Sequence, residues 1–160
     1  MQELDAIDYQ ILNLLQTDSH LSAVDIAKKV GLSQSPCWRR IQRLEKASII
    51  QRRVALLDRR QLNLHVMVFV QIKLSVHGRS ALLEFEQAIA KHPEVLECHR
   101  LAGSFDYLLR IVACDVDSYE RFLRQQLYPL TTVQEIHSSM VLSTAKSETA
   151  LPLPESNSQH

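Results

Sequence analysis

SQSPCWRRIQRLEK, residues 33–46, is the stretch that decides the fold of the first third of the chain. Ser33 is a favourable N-cap, and Pro36 falls in the first turn, where no intrahelical donor is lost. An apolar stripe follows at helical spacing, formed by Cys37, Ile41 and Leu44. Another face carries Arg39, Gln42, Arg43 and Lys46. The stretch predicts an amphipathic helix, although a basic face alone is equally typical of a solvated surface helix.

Two shorter helices are predicted before this stretch. Apolar residues recur at helical spacing within residues 4–15, and Asp5 and Asp8 stand near the start, where the helix dipole favours anions. Ser22 suits the cap of a short second helix, and Gly31 stands where a left-handed residue ends one. A short helix, a tight turn with glycine and a second helix are the signature of a helix-turn-helix, whose second helix enters the major groove of DNA.

The residues after Lys46 predict a wing. Ile49-Ile50 and the apolar segment 54–57 flank Gln51-Arg52-Arg53, as two short strands would. A wing would bring both arginines beside phosphates. The alternative interpretation is a plain exit strand with solvated arginines.

Charge is uneven along a chain whose 18 basic and 18 acidic residues balance. Residues 1–60 have a net charge of +3 and residues 61–160 of −3, and residues 28–60 alone have +8. A basic segment on a neutral body is typical of a nucleic-acid contact on one module and a different task on the other.

The rest of the chain predicts a small α+β module. Apolar residues alternate strictly through a first strand, at Val66, Val68, Val70, Ile72, Leu74 and Val76. This strand is followed by a turn at His77-Gly78, a helix ending before Pro93, strands over 95–102 and 107–113, a helix over 119–127 and a strand over 133–142. The order βαββαβ is ferredoxin-like, with both helices on one face of the sheet. The other face needs a cover, for which a second copy of the chain is the simplest candidate.

We therefore expect an α+β chain with a DNA-binding domain at 1–60, a second domain at 61–145 and a polar tail at 146–160. Cys37, Cys98 and Cys114 are odd in number and lack CxxC spacing, so neither disulfides nor zinc is indicated. The histidines do not converge at ligand spacing, and no glycine-rich phosphate loop occurs, so we expect no metal, no cofactor and no enzyme. No signal peptide or long apolar span is present, which favours a cytoplasmic protein without a membrane partner.

Three stretches have a more specific wording: LDAIDYQILNLLQ (residues 4–16), GLSQSPCWRRIQRLEKASII (31–50) and GSFDYLLRI (103–111). They resemble the Lrp/AsnC family of bacterial transcriptional regulators. The resemblance implies a winged helix-turn-helix and a RAM domain, which forms dimers and higher assemblies such as octamers and binds amino acids between dimers. The segment SPCWRR, residues 35–40, is similar to the corresponding segment of members that respond to cysteine or to branched-chain amino acids. The family often has Gly-Asp-Tyr-Asp where this chain has Gly103-Ser104-Phe105-Asp106.

The predicted DNA contacts divide by role. Ser35, Arg39 and Gln42 are expected at base edges, because residues near the start of a recognition helix go deepest into the groove. The free N–H groups of the helix start are expected to bind a phosphate.

Trp38 is expected to pack on a sugar or, as the favoured alternative, to wedge against the first helix. Cys37 is expected in the core. Phosphate contacts are expected from Arg40, Arg43, Arg52 and Arg53. The full predicted set is Ser33, Gln34, Ser35, Pro36, Trp38, Arg39, Arg40, Gln42, Arg43, Arg52 and Arg53.

The resemblance also implies an amino-acid site. Gly103 would let backbone N–H groups approach a carboxylate, and Asp106 would accept the ammonium group. The alternative is a tight hairpin turn in which Asp106 bonds its own backbone. The implied site residues are Arg100, Leu101, Gly103, Asp106, Tyr107, Thr131, Thr132 and Ser138.

Together, these features predict a homo-oligomeric, sequence-specific regulator of transcription that binds double-stranded DNA and is tuned by an amino-acid effector. A nucleoid-like architectural protein that binds DNA without an effector is one alternative. An amino-acid-binding module whose N-terminal domain docks only protein is another, and the net charge of +8 in residues 28–60 argues against it.

Overall fold

The computed structural model describes residues 4–75 and 78–154. The chain forms two compact units. The N-terminal unit contains residues 4–56 together with 146–154, and the C-terminal unit contains residues 57–145. In the described parts of both units, no helix combines the length and the apolar character that a bilayer-spanning segment needs.

Three helices build the N-terminal unit: α1 (Ala6–Thr17), α2 (Ala23–Lys29) and α3 (Gln34–Lys46). Asp5 caps α1 by accepting the N–H of Asp8, whose side chain accepts the N–H of Asp5 in return. Ser22 caps α2 by accepting the N–H of Asp25. Ser33 is the N-cap of α3 as predicted, but its hydroxyl makes no capping hydrogen bond.

The turn between α2 and α3 has the predicted geometry. Gly31 adopts a φ of 70°, in the left-handed region that favours glycine. The N–H of Leu32 donates to the carbonyl of Ala27 at 2.9 Å, which closes the end of α2. The helix-turn-helix prediction is therefore confirmed.

The stripe predicted on α3 lies in the core of the N-terminal unit. Cys37 and Leu44 are fully buried and Ile41 is nearly so, and they pack with Ile11, Leu15, Ile26 and Ala27 of the other two helices. Each fully buried leucine or isoleucine contributes about 1.5–3 kcal/mol, so this stripe determines which face of α3 points outward.

The C-terminal unit is a four-stranded antiparallel sheet with its helices on one face. Its elements are β1 (Val66–Leu74), α4 (Arg79–Ile89), β2 (Val95–Arg100), β3 (Tyr107–Ala113), α5 (Val116–Phe122), a π-helical turn (Leu123–Leu127) and β4 (Val133–Met140). The strand order β2-β3-β1-β4 is that of a ferredoxin-like fold, as predicted. Val76 and His77, which belong to the predicted strand and turn, lie outside the described residues.

The predicted alternation on β1 sets the two faces of the sheet. Val68, Val70, Ile72 and Leu74 are buried against the helices. The other face of the sheet, here called the open face, carries Phe69 and cross-strand ion pairs. Arg110 contacts Glu97 at 2.6 Å, and Lys73 contacts Glu135 at 3.2 Å.

The predicted wing strands are wrong. Among the described residues, the segment 49–57 forms no strand. A strand needs a partner for its backbone groups, and the described residues supply none to this extended segment. Its apolar side chains remain exposed, with Leu56 at 72% and Leu57 at 73%.

The tail is held against α1. The side-chain amide of Gln16 donates to the carbonyl of Leu151 at 2.9 Å, and its oxygen accepts the N–H of Leu151 at 2.9 Å. Residues 146–154 therefore belong to the same compact unit as α1.

Candidate functional site

The outward face of α3 carries basic side chains and two shallow depressions. Arg39 and Lys46 are exposed, and among the described residues neither has an ion-pair partner. Trp38, Arg39, Gln42, Arg43, Lys46 and Ala47 line one shallow depression there. Ser33, Gln34, Ser35 and Trp38 line a second one at the start of the helix.

Trp38 lies between these two depressions and is 53% exposed. The expectation that it wedges against α1 is therefore wrong. The stripe formed by Cys37, Ile41 and Leu44 fixes the rotation of α3, and at a helical step of about 100° per residue Trp38 is turned away from the core.

Arg40 and Arg43 are held by α1. Arg40 contacts Asp5 at 2.6 Å and Asp8 at 2.9 Å, and Arg43 pairs with the other oxygen of Asp8. Asp8 is only 1% exposed, so these pairs compensate its buried charge. The hydrogen bonds to Asp5 and Asp8 raise the pKa of Arg40, and the N–H of Asp8 lowers the pKa of Asp5. This differs from the sequence prediction, in which both guanidiniums point toward phosphates.

Glu45 holds two more of the predicted side chains. The amide of Gln42 donates to one oxygen of Glu45 at 3.0 Å, and Arg53 contacts the other at 3.0 Å. Arg53 also reaches the carbonyl of Ser19 at 3.4 Å. Arg52 is exposed and makes no ion pair within the described part of the chain.

The start of α3 is open. Ser33, Gln34 and Ser35 are exposed and Pro36 is half-buried. Because the Ser33 hydroxyl makes no capping bond, the N–H groups of this first turn are not occupied by the N-cap side chain. This arrangement suits an anion, as helix N-termini generally do.

Part of the predicted amino-acid site gathers where β1 ends. The backbone N–H of Asp106 donates to the carbonyl of Ile72 and its carboxylate accepts the N–H of Leu74, both at 2.8 Å. The carbonyl of Thr132 accepts the N–H of Ser75 at 2.9 Å, and the hydroxyl of Ser75 lies 3.3 Å from the carbonyl of Thr131. Leu101 closes the hairpin by donating its N–H to the carbonyl of Asp106 at 2.8 Å.

Asp106 has a structural partner that neither interpretation from sequence anticipated. Its carboxylate accepts the N–H of Leu74 on a neighbouring strand. Gly103 adopts no left-handed φ, and a Cβ there would meet nothing within 4 Å. Within the described residues, the turn itself therefore does not require glycine.

Arg100 and Tyr107 belong to a groove between α4 and β2. Tyr107 is 1% exposed, and its hydroxyl donates to Glu86 at 2.7 Å. Burial and this carboxylate raise the pKa of Tyr107 well above its usual range. The groove is further lined by Ile89, Ala90, Val95, Leu96, Glu97 and Cys98, and burial raises the pKa of the Cys98 thiol to about 11.

Ser138 lies apart from the other predicted site residues. It faces Val70 in the register of β1 and β4, whereas Val133 faces Leu74, so about 13 Å of strand separates it from the end of β1. Its hydroxyl contacts that of Tyr119 at 2.6 Å. Within one chain, Ser138 is part of the contact between α5 and the sheet.

Glu86 and Ser75 are site residues that the sequence prediction missed. A buried tyrosine hydroxyl needs a partner, which is a usable signal for Glu86 once the burial of Tyr107 is known. No signal in the sequence marks Ser75, because its role depends on how the loop before β4 meets β1. Within residues 4–75 and 78–154, no three His, Cys, Asp or Glu side chains are grouped as metal ligands would be.

Comparisons with known proteins agree with both halves of this arrangement. Residues 4–45 match the model of the AsnC-type helix-turn-helix domain, and residues 67–151 match that of the Lrp/AsnC ligand binding domain. The chain belongs to the Lrp/AsnC family. It is a DNA-binding regulator of transcription with a ligand-binding domain, in a family made of transcriptional regulators.

Two curated relatives illustrate the family. The glutamate uptake regulatory protein of Zymomonas mobilis is 37% identical over 157 residues, which cover 98% of this chain and 95% of that protein. The leucine-responsive regulatory protein of Escherichia coli is 37% identical over 150 residues, which cover 94% and 92%.

Two solved structures share the fold. A transcriptional regulator from Neisseria meningitidis, in complex with L-Met, aligns with a TM-score of 0.89 at 36% identity, covering 94% of this chain and 97% of that one. An AsnC family regulator from Agrobacterium tumefaciens aligns with a TM-score of 0.88 at 42% identity, covering 93% and 97%.

Proposed function

We propose that this Lrp/AsnC regulator recognises specific DNA sequences through the outward face of α3, with Arg39 as the principal base-contacting residue. The observation that supports the proposal is the division of the arginines on this helix. Arg40 and Arg43 are paired with Asp5 and Asp8, whereas Arg39 is exposed without an ion pair among the described residues. A free guanidinium can bond two acceptors of guanine, and Ser35 and Gln42 flank it.

The paired arginines have a different proposed role. Arg40 and Arg43 fix α3 against α1 and so hold Arg39 in position, and either reaches a phosphate only by sharing its donors with Asp8. Arg52 and the N–H groups at the start of α3 are the better phosphate contacts. Arg53 is a weaker one, because Glu45 already neutralises part of its charge.

Substitution of Arg39 tests this division. A site is first selected from a random duplex library with the full-length protein, and binding to it is compared with binding to a scrambled duplex. Arg39→Ala is expected to weaken binding to the selected site by about 1–3 kcal/mol and to change scrambled binding little, whereas Arg52→Ala weakens both alike. Arg124→Ala, in the C-terminal unit, is the control. Equal losses on both duplexes for Arg39→Ala would contradict the proposal.

The same selection addresses the architectural alternative. A protein that binds DNA without sequence preference yields no consensus, and its affinity for the scrambled duplex equals that for any selected one. A regulator with a defined site protects that site in a footprint and leaves random flanks open.

We also propose that the chain acts as a homodimer that assembles further, to an octamer. The extended segment 51–57 supports this, because it exposes Val54, Leu56 and Leu57 and has no partner strand among the described residues. A second copy can supply that strand.

Assembly determines how DNA is approached. A dimer presents two α3 helices to a two-fold related site, with half-sites about one helical turn, or a whole number of turns, apart. We propose that this takes place in the cytoplasm, where bacterial DNA is reached directly.

The role of the segment 51–57 in the dimer can be measured by light scattering. Leu56→Glu is expected to lose the dimer, and Leu83→Glu on α4, the control, is expected to keep it. Unchanged mass for Leu56→Glu would contradict the role of this segment.

The ligand of the C-terminal unit is proposed to be a small amino acid. The support is the close likeness to a regulator that binds L-Met, together with Arg100, Leu101, Gly103, Asp106, Tyr107, Thr131 and Thr132 near one end of the sheet. Arg100 can pair with a carboxylate. Because Asp106 and Ser138 already have partners within the chain, their contribution depends on a change of partner or on a second copy.

A thermal-shift screen of the twenty amino acids tests the ligand proposal. An amino acid that binds only the folded assembly stabilises it by about 2.7 kcal/mol at one hundred times its Kd, so one or a few are expected to raise Tm. Arg100→Ala should abolish the shift, and Arg79→Ala, an exposed arginine at the start of α4, should retain it. A flat response to all twenty would overturn the proposal.

A further inference from the structure

The indole of Trp38 is an apolar group in the middle of a basic surface. It is the only tryptophan of the chain, and it lies on α3 between the depression lined by Arg39, Gln42 and Lys46 and the depression lined by Ser33 and Ser35. At 53% exposure it leaves more than half of a large aromatic surface in water. Since the core of the N-terminal unit is complete without it, the fold does not account for a tryptophan here.

The surroundings of Trp38 define the partner that fits it. Cationic side chains on the same face favour an anionic partner, and an exposed indole needs an apolar group in that partner. Along the major groove, the only apolar group on a base edge is the C5-methyl of thymine. Trp38 is the fifth residue of α3 and lies beside Arg39, in the half of a recognition helix that goes deepest into the groove.

We propose that Trp38 determines specificity by packing its indole against the C5-methyl groups of one or two adjacent thymines, next to the base contacted by Arg39. This inference rests on the proposed role of the α3 face and adds the base that it selects. Arg39 supplies hydrogen bonds to a polar base edge, and Trp38 excludes water from the methyl groups beside it. A cytosine at such a position offers no methyl group and leaves the indole against a polar edge.

Replacement of thymine by deoxyuridine tests the inference, because it removes the methyl group and leaves base pairing intact. The full-length protein first selects a consensus from a random duplex library, and each thymine of that consensus is then replaced singly. Each contacted methyl group is expected to be worth roughly a fourfold change in affinity, at one or two adjacent positions. Trp38→Ala should bind the thymine and uridine duplexes equally, and Trp38→Phe should retain part of the difference.

Intrinsic fluorescence gives an independent measurement. Since Trp38 is the only indole, excitation at its absorption edge reports its own surroundings, and saturation with the selected duplex should change its emission strongly. In the uridine experiment, Arg39→Ala is the variant matched to Trp38→Ala. It should lose the preference for guanine and keep the loss of affinity that uridine causes.

The outcomes separate the two proposals. A consensus without any penalty for uridine, the same penalties in Trp38→Ala, or an unchanged emission at saturation would each overturn the role of Trp38 and leave Arg39 and the regulator proposal standing. Absence of any consensus would overturn both. A change of Trp38 emission on self-association, with no further change when DNA is added, would place the indole between copies of the chain and would overturn its role at thymine.

Discussion

At the scale of single residues, one buried carboxylate decides which arginines of α3 are available. The sequence pattern places Arg39, Arg40 and Arg43 on a basic helix, and it places Asp5 and Asp8 early in α1, where the dipole favours them. It does not show that Asp8 is 1% exposed and lies against α3. The pairing follows only from how the two helices cross.

Removal of the Asp8 charge should loosen the N-terminal unit. Asp8→Asn leaves Arg43 without its carboxylate partner and Arg40 with Asp5 alone. Breaking a fully buried pair costs about 3–5 kcal/mol, and since both arginines are about one-third exposed we expect about 2–3 kcal/mol. Urea unfolding followed by Trp38 fluorescence measures the loss. Asp18→Asn, on the surface beside His20, should change stability by less than about 0.5 kcal/mol. Equal stability of the two variants would contradict the role of Asp8.

Acid should also weaken the contact between α1 and α3, because Asp5 pairs with Arg40 of α3. The N–H of Asp8 and the nearby Arg40 lower the pKa of Asp5 in the folded chain below its ordinary value of 3.8. The unfolded chain therefore takes up this proton at a higher pH than the folded chain does. The contribution of Asp5 to stability is complete above about pH 5 and is lost as the pH falls through its lowered pKa. Urea unfolding at a series of pH values measures this fall, and Asp5→Asn should flatten it over this window.

At the scale of elements, the sequence predicted what depends on local patterns. The Ser22 cap, the left-handed Gly31 and the alternation of β1 each follow from a few neighbouring residues, and each is confirmed. Ser33 is confirmed as the N-cap position of α3, but its hydroxyl makes no capping bond. The prediction of wing strands was wrong because strands need a partner, and the described part of the chain supplies none. The π-helical turn Leu123–Leu127 was not predicted, since its residues fit an α-helical pattern equally well.

The candidate site was predicted less completely than the elements. The motifs alone predicted the positions of Arg39 on the outward face of α3 and of Arg100 and Leu101 at the end of β2. Asp106, Tyr107 and Ser138 form hydrogen bonds with residues of other strands and helices. No spacing in the sequence shows that these residues meet.

One buried hydroxyl adds to the apolar packing of α4 on the sheet. Tyr107 donates to Glu86 of α4 at 2.7 Å and also stacks its ring near Phe85, with centroids 4.7 Å apart. Tyr107→Phe keeps the ring contact and removes the bond, so it should cost about 1 kcal/mol and open the groove lined by Arg100. Thermal unfolding measures the loss. Tyr128→Phe, at an exposed tyrosine, is the control, and an equal change in both would show that the bond to Glu86 does not stabilise the unit.

At the scale of the whole molecule, the chain passes between its two units twice. It leaves the N-terminal unit after Leu56 and returns to it at Lys146, after β4 has ended. The tail is therefore part of the helix-turn-helix unit, although the sequence pattern treats it as a polar appendage. A change at the C-terminus of the chain should thus be measurable in the domain that binds DNA.

Gln16 offers the sharpest test of that connection. Its side chain makes two hydrogen bonds to the backbone of Leu151, in the way a neighbouring strand would, and neither can form in Gln16→Ala. We expect Gln16→Ala to destabilise the N-terminal unit by about 0.5–1.5 kcal/mol, and a chain ending at Ala145 to lose at least as much.

Trp38 fluorescence reports the unfolding of the N-terminal unit, while hydrogen exchange of the β1 and β3 amides reports the C-terminal unit. Both variants should shift the first signal and leave the second unchanged, and Gln134→Ala should shift neither. If loss of the tail instead weakened protection in β1 and β3, the tail would stabilise the sheet, and the bonds to Gln16 would not be what holds it.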